Sequence, residues 1–475
     1  MYRTGTTASE RDCASAELLT QGRTGWSLSA NRAPAMLNAL IVVTLARCFL
    51  AGEANTNAIC DRARAALGKN WPWLRPLARR YVARFPGPGR PRRREVEQFL
   101  RRDRGLAAAQ RKHQADFENL RLIGPEPTMQ PIGVARSWNV PAIASSGELA
   151  GWLGLEPGEL EWFANLRDWS PPGTVPLNHY SYAAAIKRSG AIRLIEAPKT
   201  RLKTIQRRIL AEILDRIPAH PAAHGFAAGR SIRTFAAPHV GRTVVLRMDL
   251  QDFFPSMRAA RVQAFFRTAG YPELVADLLG GLCTHATHRR IWKGLDLPAA
   301  PELIRDAQVL YSRRHVPQGA PTSPALANLC AWRIDSRLTG LARSAGAIYT
   351  RYADDLAFSG GPEFARGVER FSIHVAAILL EEGFHAHHRK TRILHRGVRQ
   401  YLAGVVINDR INPVRADVDR LRAILHNCAL HGPNSQNRDN HPDFRNHLRG
   451  SVAFIESLNP QKGARLRTIF DRIHW

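Results

Sequence analysis

Two adjacent aspartates between short apolar segments are the feature that most constrains how this chain can fold. Asp354 and Asp355 follow the apolar residues 347–349 and precede the apolar residues 356–358. Two apolar strands joined by a tight turn predict a β-hairpin with both carboxylates at its tip. Adjacent carboxylates repel each other, and a bound cation relieves that repulsion. The alternative is an ordinary aspartate-rich turn, which the pair alone does not exclude.

A second acidic position follows a predicted buried strand. The six residues before Asp249 are mostly apolar or β-branched. A carboxylate at the end of a core strand, beside the hairpin pair, provides the acidic ligands that metal-dependent phosphoryl transfer requires. We therefore predict two Mg²⁺ ions, with Mn²⁺ as a substitute, held by Asp249, Asp354 and Asp355, with the Leu250 carbonyl as a further ligand. Asp252 is either a ligand or the cap of the following turn.

A proline-rich loop before a predicted helix completes the candidate site. Residues 317–324 contain Gln318 and Gly319 and lead into a helix predicted over residues 325–338. Glycine allows the backbone to approach a ligand closely, and a helix start favours anions. By composition alone this is a loop that precedes a helix. Beside two acidic strands, it is predicted to form the floor of a nucleotide pocket.

The chain is strongly basic, with 68 Lys and Arg residues against 40 acidic residues and a formal net charge of +28. This excess favours a polyanionic partner, and an anionic membrane ranks lower because no amphipathic anchor is evident. Residues 69–112 contain fourteen basic and three acidic residues, interleaved with five aromatic ones. We interpret this stretch as a nucleic-acid surface; the alternative is a solvated basic face on a small helical module.

The predicted organisation begins with a loose segment over residues 1–30 and a helix over residues 36–67. Prolines are expected to split the basic stretch into two helical pieces. The pattern changes from helical to mixed at residues 171–173, which we take as the main domain boundary. Residues 411–475 are predicted to be helical. One apolar helical face there is formed by Val418, Leu421, Ile424, Leu425 and Cys428.

The six cysteines form no C-x-x-C pair, which fits a reducing cytosol rather than an exported, disulfide-bonded protein. The most apolar run, residues 36–50, is too short to span a bilayer, so no membrane partner is expected. Cys283, His285 and His288 raise the alternative of a zinc site, but their spacing is loose and no fourth ligand is obvious. A basic loop is the preferred interpretation of these residues.

Seven sequence blocks in a fixed order resemble those of reverse transcriptases, most closely the bacterial retron-type group. The blocks are residues 192–210, 224–231, 249–256, 317–324, 352–355, 390–392 and 402–408. The chain departs from the retron pattern at residues 402–404, where Leu-Ala-Gly replaces the usual Val-Thr-Gly, and residues 284–316 form an enlarged insertion.

The resemblance implies an α+β fold of the right-hand polymerase type. Its parts would be a helical N-terminal extension (1–170), fingers (171–240), a palm with a small antiparallel sheet (241–410) and a helical thumb (411–475). Asp249, Asp354 and Asp355 would be catalytic metal ligands, and Lys390 would protonate the leaving pyrophosphate. Phe254 would be the steric gate against a ribonucleotide 2′-hydroxyl. Nucleotide binding would involve Arg193, Lys187, Gln318, Gly319 and Tyr352.

The same resemblance implies an RNA-directed DNA polymerase that adds dNTPs to a primer 3′-hydroxyl. It would copy a structured noncoding RNA into DNA, act in antiphage defence in the cytoplasm, and have an effector protein as a further candidate partner. Two alternatives stay open. One is another bacterial reverse transcriptase lineage, which would include abortive-infection types that extend DNA without a template. A ribonucleoprotein scaffold would bind RNA and make catalysis secondary.

Overall fold

The computed structural model describes residues 33–87, 91–118, 125–166, 179–187, 190–295 and 297–475. The chain divides into two compact units, Met1–Pro127 and Thr128–Trp475, each with its own hydrophobic core. The predicted loose start at residues 1–30 and the predicted boundary at residues 171–173 lie outside the described residues. Within the described ranges, no helix is long and apolar enough to cross a membrane.

The described part of the N-terminal unit is helical. Its helices are α1 (Ala33–Leu50), α2 (Thr56–Leu67), α3 (Leu74–Arg84), α4 (Arg93–Arg102), α5 (Arg104–Lys112) and α6 (Gln114–Glu118). The helix predicted over residues 36–67 is two helices, because the Asn55 side chain caps a new start by accepting a hydrogen bond from the Ala58 N–H. The predicted break at the prolines is confirmed, since α3 ends before them and α4 begins after them, but the second of the two predicted pieces is itself two helices, α4 and α5.

The second unit combines many helices with small sheets. Its described helices are α7 (Ser146–Leu153), α8 (Pro157–Ala164), α9 (Thr200–Glu212), α10 (Ile232–Ala236), α11 (Phe253–Ser256), α12 (Ala259–Thr268), α13 (Glu273–Cys283), α14 (Arg289–Lys293), α15 (Pro301–Tyr311), α16 (Ser323–Cys330), α17 (Trp332–Ser344), α18 (Pro362–Glu381), α19 (Arg415–His431), α20 (Phe444–Leu458) and α21 (Pro460–Phe470). Its described strands are β1 (Tyr180–Ile186), β2 (Ile192–Pro198), β3 (Val244–Asp249), β4 (Ile348–Tyr352), β5 (Asp355–Gly360), β6 (Arg392–His395), β7 (Tyr401–Leu402), β8 (Val405–Val406) and β9 (Asn412–Pro413).

The central sheet has the order β4-β5-β3-β6, and all its strand pairs are antiparallel. Strand β3 is buried on both faces: Val244 and Leu246 join the main core, and Val245 joins a second cluster around Phe235. Burial on both faces explains why its sequence is nearly continuously apolar rather than alternating. Two smaller sheets, β1-β2 and β7-β8-β9, are also antiparallel. The predicted core strand and acidic hairpin are both confirmed.

Residues 128–166 belong to the second unit rather than to the N-terminal one. Leu149, Leu160 and Phe163 of α7 and α8 are buried in the main core of that unit. The compact N-terminal unit therefore ends at Pro127, whereas the extension was predicted to run to residue 170. Two helices of eight residues cannot form a core alone, so their apolar faces are covered by the larger unit.

Helices α19, α20 and α21 share a separate hydrophobic cluster. The predicted apolar face of α19 is confirmed, although Ile424 is only half-buried. The helix predicted over residues 325–338 is instead α16 followed by α17, which meet at Ala331. The enlarged insertion contains α14 and α15, whose Trp292 and Tyr311 pack with apolar residues of β2.

Candidate active site

The antiparallel register of β3 and β5 brings the strand-end aspartate beside the hairpin pair. Asp249 and Asp355 are direct cross-strand partners. The Leu250 N–H donates to the Asp354 carbonyl oxygen over 2.8 Å. Opposite residues of an antiparallel pair have Cβ atoms roughly 4.5–5.5 Å apart, so these acidic residues share one end of the sheet. The backbone therefore brings together the three predicted aspartates.

A buried arginine that sequence reasoning did not single out supports the hairpin turn. Arg351 is 0% exposed, and its guanidinium forms a bidentate ion pair with Asp335 over 2.7 and 2.8 Å. The same group donates to the Asn328 side-chain oxygen and to the Ala353 carbonyl oxygen, each over 3.1 Å. Ala353 has a φ of +55°, a left-handed conformation that is uncommon for alanine. The internal ion pair therefore fixes the backbone directly before Asp354.

Residues 224–225 close over the same turn. The His224 N–H donates to the Arg351 carbonyl oxygen over 2.7 Å, and the Asn328 side-chain nitrogen donates to the Gly225 carbonyl oxygen over 2.8 Å. A Cβ at Gly225 would lie 2.5 Å from the Ala353 backbone nitrogen. Only glycine fits this close approach.

Two basic side chains form ion pairs with two of the three aspartates. The Lys390 ammonium donates to both Asp249 oxygens over 3.0 and 3.1 Å. Arg247 donates to one Asp355 oxygen over 2.8 and 3.1 Å. Burial and the like charges of Asp249 and Asp355 raise the pKa of Asp354. Burial also raises the pKa of Asp355, although Arg247 opposes that shift.

The three carboxylates share one end of the sheet, but their side chains do not point to a common metal position. In the part of the chain that the structure describes, no three acidic, histidine or cysteine side chains are grouped closely enough to hold a metal ion. The ion pairs account for this arrangement, because Arg247 binds Asp355 and Lys390 binds Asp249. The donor chemistry still fits a hard divalent cation, which prefers carboxylate oxygens. The pKa of Asp354 is raised by burial and by repulsion from Asp249 and Asp355, and a cation would favour the charged carboxylate.

A cavity of about 260 Å³ adjoins the acidic residues. The predicted residues that line it are Asp249, Leu250, Asp354, Lys187, Arg193, Phe254, Gln318 and Lys390. Three other predicted residues lie outside its wall: Asp355, Gly319 and Tyr352. Asp355 is bound by Arg247, and the Tyr352 ring packs on Phe235 with the ring centroids 5.7 Å apart.

Asp252 also lines this cavity, so it lies beside the predicted metal ligands. The alternative that its side chain caps the following turn is wrong. Its side chain makes no capping hydrogen bond to α11, and its φ is +47°. The carboxylate instead accepts a hydrogen bond from the Lys187 ammonium over 3.0 Å. This pair links the end of the β1–β2 hairpin to the segment that carries Phe254.

A buried glutamate fixes the proline-rich loop to β2. The Glu196 N–H donates to the Gln318 carbonyl oxygen over 2.8 Å. The Glu196 carboxylate is 0% exposed; it accepts from the Thr287 hydroxyl over 2.5 Å and lies 2.8 Å from His315 Nε2. Although burial raises it, the net pKa of Glu196 is lowered, mainly by His315. Gly319 has a φ of +130°, and a Cβ there would lie 3.0 Å from the Glu196 carbonyl oxygen.

The sequence analysis did not single out three charged residues that support the site. Arg247, Arg351 and Glu196 lie in the strands β3, β4 and β2, where a charge among apolar residues could have marked them. A buried charge needs a partner, so each position indicates a paired site. The partners themselves are not readable locally, because Asp335 is 16 residues from Arg351 and His315 is 119 residues from Glu196.

The three residues of the zinc alternative have other roles. Cys283 is fully buried, and burial raises the pKa of its thiol to about 12. His285 Nε2 lies 2.8 Å from the Tyr182 hydroxyl. The His288 side chain caps α14 by accepting from the Arg290 N–H. These contacts give no support to the zinc interpretation.

Comparison with known proteins identifies relatives across most of the second unit. Residues 185–407 match the family described as Reverse transcriptase (RNA-dependent DNA polymerase). The chain is 42% identical over 332 residues to the Retron Mx65 reverse transcriptase of Myxococcus xanthus, covering 69% of this chain and 72% of that protein. It is 36% identical over 344 residues to the Retron Mx162 reverse transcriptase of the same organism, covering 69% and 67%. It is 31% identical over 283 residues to the Retron Ec86 reverse transcriptase of Escherichia coli, covering 59% and 77%.

Proposed function

Because this chain belongs to the retron-type reverse transcriptases, we propose that Asp249, Asp354 and Asp355 form the centre at which it adds dNTPs to a primer. The predicted RNA-directed DNA polymerase class and α+β right-hand polymerase fold are confirmed by that membership. The observation that carries the proposal is the register of β3 and β5, which pairs Asp249 with Asp355. At this centre the primer 3′-hydroxyl attacks the α-phosphate of the dNTP, and pyrophosphate leaves.

Family membership implies dependence on divalent cations, and we assign two Mg²⁺ ions, with Mn²⁺ as a substitute. Asp249, Asp354 and Asp355 would hold them, with the Leu250 carbonyl oxygen as a further ligand. Bound cations supply the charge that activates the 3′-hydroxyl and stabilises the leaving pyrophosphate. The hard oxygen donors and the raised pKa values of Asp354 and Asp355 support this assignment.

The cavity beside the aspartates is proposed to receive the dNTP. Arg193 and Lys187 line it and would neutralise the triphosphate, while Gln318 would contact the nucleotide. Gly319 and Tyr352 lie outside the cavity wall and would act by shaping the backbone on either side of it. The wall therefore contains both the basic side chains and the polar side chain that a nucleotide requires.

Lys390 is proposed to contact the leaving pyrophosphate. Its side chain is 51% exposed and lines the cavity, so the ammonium that pairs with Asp249 can also reach a phosphate group there. The general-acid role stays a prediction from the resemblance. Lys390→Arg keeps the charge, and Lys390→Met removes it. If charge alone matters, single-turnover extension should be near normal in the first variant and slow in the second; equal loss in both would favour proton transfer.

The template is proposed to be a structured noncoding RNA that is copied into DNA, with action in cytoplasmic antiphage defence beside an effector protein. The retron relatives and the net charge of +28 support an RNA partner. Sequencing the nucleic acid that copurifies with the protein tests this. One dominant RNA joined to, or paired with, its DNA copy is expected. A random sample of cellular RNA would refute the dedicated template.

Asp354→Asn tests the catalytic assignment most directly. Removing one carboxylate should cost several kcal/mol of transition-state stabilisation, or about 1000-fold in extension rate on an RNA template. Asp409→Asn is the matched control, because its side chain is 82% exposed and lies outside the cavity wall. Circular dichroism verifies that both variants fold. Near-normal extension by folded Asp354→Asn would refute the proposed centre.

A further inference from the structure

The N-terminal unit contains a second cavity, of about 760 Å³, formed by α3, α4 and the start of α5. We call it the arginine cavity. It is lined by Arg80, Arg84, Phe85, Glu95, Gln98, Phe99, Arg102, Asp103, Arg104 and Gly105. Its wall therefore combines four arginines with two phenylalanines.

One arginine of the cavity is held by a buried carboxylate. Arg80 donates to both oxygens of Asp103 over 2.7 and 2.9 Å, and the Asp103 side chain is only 6% exposed. Asp103 also caps α5 by accepting from the Leu106 N–H over 2.7 Å. A Cβ at Gly105 would lie 2.7 Å from an Arg80 nitrogen, so the glycine leaves room for the guanidinium. This wall is therefore pre-organised.

The other three arginines are available to a ligand. Arg84, Arg102 and Arg104 are exposed, and none forms an ion pair with another residue that the structure describes. Glu95 is already engaged, because its carboxylate accepts a hydrogen bond from the Arg92 N–H over 2.7 Å. With Glu95 and Asp103 counted against its four arginines, the cavity wall carries a net charge of +2, which favours a polyanion.

Two half-buried aromatic rings stand beside these charges. The Phe85 and Phe99 centroids are 5.9 Å apart, and both rings pack on Tyr81 at 5.1 and 6.1 Å. The Arg84 guanidinium lies 5.7 Å from the Phe85 ring centroid. Packing fixes the rings while leaving part of each exposed. Rigid aromatic faces beside arginines are the combination that unstacked bases and their phosphates require.

We propose that the arginine cavity binds a single-stranded segment of RNA. Arg84, Arg102 and Arg104 contact its phosphates, and Phe85 and Phe99 contact its bases. Single-stranded RNA fits better than a duplex, whose bases are stacked inside the helix, and better than an acidic peptide, which would leave the aromatic faces unused. The choice of RNA rests on the proposed function, since the enzyme must hold an RNA to copy it.

The test compares two triple variants of the full chain that remove equal charge. The cavity variant is Arg84→Gln, Arg102→Gln and Arg104→Gln. The control variant is Arg75→Gln, Arg79→Gln and Arg94→Gln, which changes exposed arginines of the same unit outside the cavity wall. Binding of a mixed-sequence single-stranded RNA is measured between 50 mM and 300 mM salt. Primer extension on an unstructured template is measured in parallel.

The cavity variant should bind RNA on the order of 10- to 50-fold more weakly, and its salt slope should be smaller by about 2, for three lost phosphate contacts. The control variant should change both quantities little. Photocrosslinks from wild type to the RNA should include Phe85 or Phe99. Equal effects of the two variants, or no effect, would overturn the proposal. So would competition by polyglutamate as strong as that by RNA, which would assign the cavity to an acidic protein segment. If the cavity variant still extends a primer, its weaker RNA binding cannot be attributed to a failure of the catalytic centre.

Discussion

Phe254 lies five residues after Asp249, and its ring contacts Phe226 and Phe253 at centroid distances of 6.1 and 5.7 Å. The ring is half-buried and lines the cavity, so part of it is available to a bound nucleotide. Because aromatic neighbours restrain it, the ring cannot easily move aside for an additional hydroxyl group. The geometry therefore suits the gate role that the resemblance implies.

Phe254→Ala should make ribonucleotide incorporation easier. Loss of the steric contact should reduce the preference for dNTP over NTP by about 1–3 kcal/mol, or roughly 10–200-fold in the ratio of kcat/KM values. Phe254→Tyr keeps the ring and should keep the preference. Steady-state incorporation of one dNTP and the matching NTP measures this ratio. An unchanged ratio in Phe254→Ala would remove this residue from sugar selection.

The β4–β5 hairpin depends on a helix, α17, that does not line the cavity beside the aspartates. Arg351 of β4 pairs with Asp335 of α17 and also binds the Ala353 carbonyl oxygen. A strained left-handed residue persists only where its surroundings fix it, and this buried ion pair is the fixing contact at Ala353. Helix α17 thus supports the position of Asp354 from behind the sheet.

Arg351→Met should destabilise the larger unit and misplace the acidic turn. Breaking a buried pair leaves Asp335 uncompensated, which costs about 3–5 kcal/mol. If the turn is misplaced, the Mg²⁺ concentration for half-maximal extension should also rise severalfold. Arg333→Met is the control, because that arginine is 80% exposed in its ion pair with Glu382 and should contribute at most about 1 kcal/mol. Lower stability with an unchanged Mg²⁺ response would limit Arg351 to a structural role.

Local sequence patterns predicted the elements whose signal lies within about ten residues. Strand β3, the acidic hairpin and the buried face of α19 were all readable in this way. The division between α16 and α17 was not, because Ala331 is a good helix former and marks no break. The aspartates of the site were predicted, but the pairing of Arg351 with Asp335 joins two different elements. Tertiary partners of this kind cannot be inferred from periodicity.

At the scale of the whole molecule, the two units have separate cores, so unfolding need not be a single transition. The net charge of +28 also means that protonation adds repulsion to an already positive chain. Acid sensitivity is therefore best assigned by comparing variants that differ at one buried group. His239 is such a buried group in the larger unit, and the unfolding of that unit should depend on its protonation.

His239 is 0% exposed and lies between two hydroxyl groups: Nδ1 is 2.6 Å from Ser359 and Nε2 is 2.7 Å from Thr350. The Thr350 hydroxyl donates to the Phe235 carbonyl oxygen. The oxygen of the Thr350 hydroxyl must therefore accept a hydrogen bond from the His239 Nε2–H, while the Ser359 hydroxyl donates to Nδ1. The ring is thus neutral, and burial, assisted by the charge of Arg242, lowers the pKa of His239 to about 3.

Stability of the larger unit should fall as pH decreases from about 6.5, because the unfolded chain then protonates His239 and the folded chain does not. Within this window each pH unit lowers the free energy of unfolding by about 1.4 kcal/mol, so the total loss at pH 5 is about 2 kcal/mol. The loss continues until the folded group titrates near pH 3. His239→Gln should lose this share of the decline between pH 7 and pH 5, whereas His374→Gln, at an exposed position, should keep it. Urea unfolding at both pH values measures the difference. An equal decline in His239→Gln and wild type would assign the acid sensitivity to other groups, such as His224, whose pKa burial lowers to about 4.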